Sequence, residues 1–511
     1  MLSELPLAGY VFEHAWWWSE RTALIDSVTG ASLTYQELTA AVSRAAAGLA
    51  AHGVARGDVV MLCGPNGADF VIAYHAALSA GAVVTPISAM ASRTELIRQL
   101  RHSRAQWMIT TAELFKHKVG TAATAGVREV FVFGAAAGAT PFDGLLDQRH
   151  PAPGIQVSAD DTALLIYSSG TTGQPKGVML SHRALVASLS QTRLVQLVRS
   201  TDVMIAVLPM SHIYGMQVTM NLALHEGATL VTMPRFDLEA FLRAVQDHRV
   251  TRAEVVPPIV LQLARHPVVD DYDLSSLEII SSAAAPLSAG VARSVADRLG
   301  CRVKQGYGMT ELGGATHMAT DAGRDDPGSI GPALPGVQCR VVDRVTGADL
   351  DLGELGELLI RTPAMMRGYL NDPRATAGII DQAGWLHTGD IASRDVEGWF
   401  RVVDRCDELI RYSGYNVAPA ELEGVLLGHP AVADAAVVGC PDEEAGEVPK
   451  AFVVLRSPVS ADELGRFVSD RVSPYKKIRI FEFVVDVPRS NCGKLLRRVL
   501  AERERAVLGG V

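Results

Sequence analysis

Lysine is scarce in this chain. Only eight occur in 511 residues: Lys116, Lys118, Lys176, Lys304, Lys450, Lys476, Lys477 and Lys494. Arginine carries nearly all the positive charge, as a GC-rich codon bias would leave it, so a lysine kept inside a glycine-rich loop stands out. Cysteine is sparse too. The six (Cys63, Cys301, Cys339, Cys406, Cys440 and Cys492) lie far apart and form no CxxC. That excludes a disulfide scaffold or a zinc ribbon and fits a reducing cytoplasm. No apolar run approaches the roughly 18 residues of a membrane span. The first residues contain acids and no basic patch, against a secretory signal. A basic excess is also missing: 47 Lys and Arg against 56 Asp and Glu give a net charge of −9, which argues against nucleic acid as a partner. What remains is 48% hydrophobic and 20% charged, enough to build real cores. The length allows about three core-sized units at roughly 150 residues each.

The early chain alternates helical and strand patterns. Thr34 to Glu37 fits a capping box, in which hydroxyl and carboxylate satisfy each other's backbone donors. A helix is predicted from there to His52, with Gly53 as its stop. Residues 59–62 read as a buried strand, 67–80 as a helix and 83–85 as the next strand. This is a βαβ unit, which implies a parallel sheet with helices on its faces. The rhythm returns at 277–305, where a strand, a Pro-Leu-Ser turn, a helix ending at Gly300 and a second strand follow one another. Residues 148–161 are polar and Pro-rich and read as a connector. After about residue 400 the elements shorten: helix 420–427, strands 432–438 and 449–455, helix 461–472 and strand 478–485. The fold class expected is α/β. A large N-terminal body of parallel-rich sheets and helices, with a small β-rich subdomain, spans 1–403. A small mobile α+β C-terminal domain spans 404–511.

The strongest chemical signal runs from Tyr167 to Gly177, directly after the apolar strand Ala163–Ile166. It contains Ser168, Ser169, Gly170, Thr171, Thr172, Gly173 and Lys176. Glycines let backbone N–H groups approach an anion, hydroxyls add donors and the lysine adds charge, so the segment suits a phosphate cradle. It is not a Walker A loop, because GxxxxGK[ST] is absent.

This string resembles the phosphate loop of the adenylate-forming superfamily, which includes acyl-CoA synthetases, aryl-CoA ligases, firefly luciferases and the adenylation domains of peptide synthetases. Other motifs follow in that superfamily's order. Gln305-Gly306-Tyr307-Gly308-Met309-Thr310-Glu311 resembles its adenine and magnesium segment, and Trp385 to Asp390 its ribose segment. Asp404 to Ile410 with Gly414 resembles the hinge and following loop, and Pro488 to Lys494 the C-terminal lysine loop. The small residues Ser281 to Pro286, Ala284 among them, resemble the run that lines the adenine and acyl pockets.

The resemblance implies an ATP-dependent acyl-CoA ligase. A carboxylic acid would attack ATP to give acyl-AMP and pyrophosphate, and coenzyme A would then take the acyl group and release AMP. It implies that Tyr307 stacks on adenine, Thr310 donates to the α-phosphate, Glu311 holds Mg²⁺ and Asp390 accepts from both ribose hydroxyls with Arg405 in support. Lys494 would reach the carboxylate and α-phosphate, with Thr172 and Glu311 completing the catalytic set. His212, in Met210 to Gly215, would gate the acyl pocket, which Tyr214, Gly306, Gly308, Gly314 and Ala315 would line. The small domain would turn about Asp407 between half-reactions, bringing Arg411, Ser413 and Gly414 to the acyl-AMP.

Two departures from the superfamily pattern bear on specificity. Arg411 and Ser413 stand where plant aryl-CoA ligases and luciferases have lysines, and arginine differs from lysine in shape and cannot lose its proton. Gly314 and Ala315 stand where aryl-CoA ligases have Pro and a bulkier residue, so a bulky, aromatic or polycyclic acid is expected. The same motifs admit three alternatives. These are an adenylating enzyme that loads a carrier protein, a luciferase-type oxygenase, and a half-enzyme that only forms the thioester. A cytoplasmic protein without nucleic-acid or membrane partners is expected, and its oligomeric state is open.

Overall fold

The capping box at Thr34 starts a helix as expected. Thr34 Oγ1 accepts from the Glu37 N–H at 3.2 Å, and the Glu37 carboxylate accepts from the Thr34 N–H at 2.8 Å. The helix runs Tyr35–Ala51 and buries Leu38, Val42, Ala45 and Leu49 along one stripe. The structure is a computed structural model. It describes residues 3–119, 126–147, 154–168, 175–324, 326–406, 408–413, 415–442, 444–490 and 494–508.

Strand Val59–Gly64, helix Ala68–Ser79 and strand Val83–Ser88 form the expected βαβ unit, and the two strands pair in parallel. They sit inside an eight-stranded sheet together with Thr162–Ser168 and Lys176–Ser181. Those last two strands are an antiparallel hairpin, with Ser168 opposite Lys176, so the sheet delivers both ends of the phosphate-loop motif to one edge.

A second eight-stranded sheet carries the later βαβ rhythm. Its strands Val203–Ala206, Arg252–Val255, Ile279–Ser282 and Arg302–Met309 are parallel neighbours, and Gly314–Met318 adds antiparallel to the last. Helix Ala289–Leu299 ends at Gly300 in the left-handed conformation (φ 66°), the C-terminal stop read from the sequence. Apolar side chains between these two sheets and their helices build the two largest cores.

The β-rich unit is a five-stranded antiparallel sheet that includes Leu386–Arg394 and Trp399–Arg405. Its last strand reaches Arg405. Beyond it, strands Ile410–Tyr412, Tyr415–Val417, Val432–Asp442, Gly446–Leu455 and Ile480–Phe483 make a separate sheet with its own apolar core, covered by helices Pro419–Leu427 and Ala461–Ser469.

Arg497 binds this C-terminal unit to the preceding sheet through Asp404, Glu408 and Glu423. Arg265, on helix Pro257–Arg265 of the body, donates to the carbonyls of Val432 and Leu427. Burial lowers the Arg265 pKa, the expected direction for a guanidinium taken out of water.

The described cysteines are all free. No helix among the described residues is long and apolar enough to cross a membrane. The Trp16–Trp18 cluster divides. Trp18 lies over Gly227 and near Tyr35, while Trp16 and Trp17 are exposed.

Candidate active site

Four phosphate-motif and metal-motif residues converge at the edge of the first sheet. Ser168 Oγ donates to Glu311 Oε1 at 2.8 Å, across the gap between the two large sheets. The Tyr369 hydroxyl donates to the same carboxylate oxygen at 2.9 Å. Lys176 Nζ lies 5.0 Å from the Tyr369 ring centroid, a cation–π distance. Glu311 is held on a short 3-10 turn, Thr310–Leu312, and both Thr310 and Glu311 are buried. Its backbone carbonyl accepts from Met366 N–H at 2.8 Å, which ties the turn to the segment carrying Tyr369. A buried carboxylate beside a lysine and hydroxyl donors suits a hard cation shared with phosphate oxygens. Among the described residues no cluster of three or more acidic, His or Cys side chains forms a cage. Ser169, Gly170, Thr171, Thr172 and Gly173 lie outside the described residues, as do Asp407 and Gly414.

Tyr307, Asp390 and Arg405, the residues expected at adenine and ribose, converge on a second point. The Tyr307 hydroxyl donates to Asp390 Oδ2, and Arg405 Nη1 lies 3.2 Å from Asp390 Oδ1. Asp390 and Arg405 are direct cross-strand partners, so the β-rich sheet itself sets their approach. Burial raises the Asp390 pKa, while the Arg405 charge and the Tyr307 hydroxyl pull it back. Thr388 holds the strand turn by donating to Leu358 O at 2.7 Å and accepting from Asp390 N–H at 3.1 Å.

Ala284 adopts φ +72°, a conformation that costs a non-glycine residue energy and needs support from its surroundings. Gln305 supplies some of that support by exchanging hydrogen bonds with the Leu287 backbone, 3.0 Å in one direction and 2.9 Å in the other.

Lys494 comes from the C-terminal unit. Its N–H donates to Ser490 Oγ at 3.1 Å. Its charge adds to the lowering that burial causes at His212 and partly offsets the rise that burial causes at Asp390. Burial, helped by Lys494, pushes His212 down to about 4, so His212 is a neutral imidazole at physiological pH.

Two residues along, Tyr214 is buried and its hydroxyl meets Glu254 Oε2 at 3.1 Å and Ser281 O at 3.0 Å. Gly306, Gly314 and Ala315 lie on the facing strands. A Cβ on Gly314 would come 3.1 Å from Ser188 Oγ, and its φ of +133° excludes ordinary side chains, so backbone as well as space demands glycine there. A Cβ on Gly308 would fall 2.0 Å from the Gly314 carbonyl oxygen, so this glycine serves the close approach of two strands.

Arg411 is on the C-terminal sheet and Ser413 follows its strand directly. Arg411 N–H donates to Glu447 Oε2 at 2.8 Å and Ser413 N–H to Ala445 O at 2.8 Å. Among the described residues, neither makes a hydrogen bond or ion pair with the groups around Glu311 and Asp390.

Residues 12–370 match the model of the AMP-binding enzyme family, and residues 421–494 match the model of the AMP-binding enzyme C-terminal domain. The chain belongs to the AMP-binding enzyme family. The resemblance read from five motifs is thereby borne out, and so is the α/β fold class. Among curated relatives of this family member, 4-coumarate–CoA ligase 1 of Solanum tuberosum is 40% identical over 512 residues, which covers 98% of this chain and 94% of that protein. A benzoate CoA ligase from Burkholderia xenovorans LB400 is 28% identical, with a TM-score of 0.87 over 97% of this chain and 100% of that one. The anthranilate CoA ligase AuaEII in complex with anthranoyl-AMP has a TM-score of 0.93 over 99% of this chain and 98% of that one. At 24% identity that similarity shows the fold alone.

Tyr369 and Glu254 were missed by sequence reasoning. A tyrosine after Gly368 and a glutamate inside an apolar strand carry no local signature. Only the sheet packing brings each to a functional neighbour.

Proposed function

We propose that this member of the AMP-binding family is an ATP-dependent aryl-CoA ligase. It would activate an aromatic carboxylic acid as the acyl adenylate and pass the acyl group to coenzyme A. The names of the relatives support an aromatic acid and a CoA acceptor. The observation that carries the reading is the pair of contacts that gathers the motif residues, Ser168 on Glu311 and Tyr307 with Arg405 on Asp390.

In the first step a carboxylate oxygen attacks the α-phosphorus of ATP, the acyl–phosphate bond forms and pyrophosphate leaves. Two anions must meet, so the chain's task is to position them and offset their repulsion. Lys494 and Lys176 supply positive charge, and Thr310 and Ser168 supply hydroxyl donors. Tyr307 offers a stacking face to adenine and Asp390 accepts from the ribose hydroxyls. A magnesium ion held by Glu311 would neutralise phosphate charge. In the second step the CoA thiolate attacks the acyl carbon and AMP leaves as the acyl–oxygen bond breaks. The reading includes a body up to 403, a C-terminal domain that turns about Asp407, and entry of Arg411, Ser413 and Gly414 in the second step. A cytoplasmic location is part of the same proposal.

The test measures pyrophosphate release and thioester formation with ATP, magnesium and a panel of aromatic and short-chain acids, with and without CoA. Acid-dependent pyrophosphate and an aroyl- or cinnamoyl-type thioester are expected. Preference for short-chain acids, or thioester from supplied acyl-AMP only, would overturn the reading.

A further inference from the structure

Helix Pro419–Leu427 of the C-terminal unit carries no side-chain cap of its own at its start, because its N-cap residue is Ala418. The missing acceptor comes from the β-rich sheet. Asp404 Oδ2, on strand Trp399–Arg405, accepts from the Ala420 N–H at 2.8 Å. The other end is met from the body as well. Arg265 closes helix Pro257–Arg265 and donates to Leu427 O, the last helical carbonyl, and to Val432 O at 3.0 Å. Midway, Gly424 faces Ser288, and a Cβ on this glycine would lie 3.9 Å from Ser288 Cβ. An acid therefore sits at the positive end of the helix dipole and a guanidinium at its negative end, and neither belongs to the helix.

The helix is in turn tied to the lysine loop. Glu423 accepts from Arg497 at 2.8 Å and 2.6 Å, one bond to each carboxylate oxygen. A two-point bond of this kind fixes direction as well as distance. Arg497 follows Lys494 closely in the chain and opens helix Arg497–Leu508. The line through Arg265, the helix, Glu423 and Arg497 thus runs from the body to Lys494, whose charge acts on Asp390. Arg265 is the releasable end of that line. Its partners are carbonyls, and no carboxylate pairs with it among the described residues. Burial lowers its pKa, and the Arg456 charge on the C-terminal unit lowers it further, so the two units also repel at this seam. Asp404 stands close to Asp407 in the chain. The Leu427 end lies about 10 Å beyond Ala420 along the helix. A turn about Asp407 therefore moves the Arg265 contact more than the Asp404 contact.

We infer that Arg265 is a positioning residue for the first half-reaction. By closing the C-terminal end of helix Pro419–Leu427 it holds the C-terminal unit in the arrangement that presents Lys494, and its release accompanies the turn to the second half-reaction. This rests on the two-state use of the C-terminal unit proposed above. A guanidinium suits the task, because its planar fork reaches two carbonyls at once in a geometry that an ammonium does not match. The contact is half-buried and lacks an opposite charge, so it is weak enough to break within each catalytic cycle.

The test measures the two half-reactions separately in Arg265→Ala, Arg265→Lys and Lys494→Ala, with the full-length enzyme, ATP, magnesium and an acid that the wild type turns over. Single-turnover pyrophosphate release reports the first, and thioester formation from supplied acyl-AMP and CoA reports the second. Arg265→Ala should slow the first by about five- to tenfold, the scale of one charged hydrogen bond at a helix end, and leave the second unchanged or faster. Arg265→Lys, which keeps the charge, should recover part of the first. A residue that merely stabilises the fold would slow both, and far-UV circular dichroism reports whether each variant folds. A loss in the second half-reaction as large as in the first, or no loss in the first, overturns this inference alone when Lys494→Ala still separates the two. Equal loss of both in Lys494→Ala overturns the two-state reading and this inference with it.

Discussion

Acid should unfold this protein at a pH where most carboxylates are still ionised. His75, His182, His225 and His317 are each 2% exposed or less. Burial pushes His75 and His317 down to about 3, and His182 and His225 down to about 4. For two of them the surroundings also favour the neutral ring. His182 Nδ1 accepts from the Leu7 N–H at 3.1 Å, a bond that protonation would break. His75 has no hydrogen-bond partner among the described residues on either nitrogen, so a charge there would be unsolvated. In the unfolded chain each titrates near 6.5. Below that pH the unfolded state binds protons that the folded state refuses. Stability is therefore complete above about pH 6.5 and falls as pH drops toward the folded values. Each histidine costs about 1.4 kcal/mol at pH 5.5 and about 2 kcal/mol at pH 5. The four together cost about 6 and about 8 kcal/mol, comparable with the whole stability of a domain, roughly 5–15 kcal/mol. Asp404 opposes the trend, because burial pushes it up to about 6 and its folded form gains a proton first, but one group offsets only about one-sixth of the loss. The assay is urea unfolding followed by tryptophan fluorescence and far-UV circular dichroism at about pH 7.5 and about pH 5.5. With a slope near 3 kcal/mol per molar, the midpoint should fall by about 2 M. Equal midpoints at the two pH values would refute the reasoning, since both states would then bind the same number of protons.

Lys494→Ala should lower acid-dependent pyrophosphate release by roughly 100-fold or more, the scale of losing one charged stabiliser, while thioester formation from supplied acyl-AMP stays within a few-fold. Equal loss in both assays would count against the two-state use of this lysine. Gly308→Ala should cost about 2–3 kcal/mol or more in urea unfolding, because its Cβ would fall 2.0 Å from the Gly314 carbonyl and neither backbone can yield cheaply. Wild-type stability in that variant would mean the two strands are less closely held than their register implies.

Local physics made much of the fold legible beforehand. The capping box at Thr34, the stop at Gly300 and the βαβ unit at 59–88 depend on neighbours within a few residues. Such features are written into short stretches of chain. The motifs were legible for a related reason: a phosphate loop needs its glycines, hydroxyls and lysine close together in sequence. Boundaries were less so. Helix Ala461–Ser469 stops three residues short of the expected 472, and strand Gly446–Leu455 starts three residues early. Fraying and register depend on what packs against an end.

By itself the sequence determined which chemistry the chain carries: a lysine-poor, mildly acidic protein that concentrates hydroxyls, glycines and two of its few lysines in phosphate-type loops. Only the tertiary structure decided which groups meet. Ser168 and Glu311 are 143 residues apart and Tyr307 and Asp390 are 83 apart, yet each pair is in hydrogen-bond contact. Glu254, Ser281 and Lys304 share a face only because three parallel strands align in one register. Strand pairing and the desolvation that follows are long-range properties, and they turn an ordinary glutamate into a buried acceptor bonded to Tyr214.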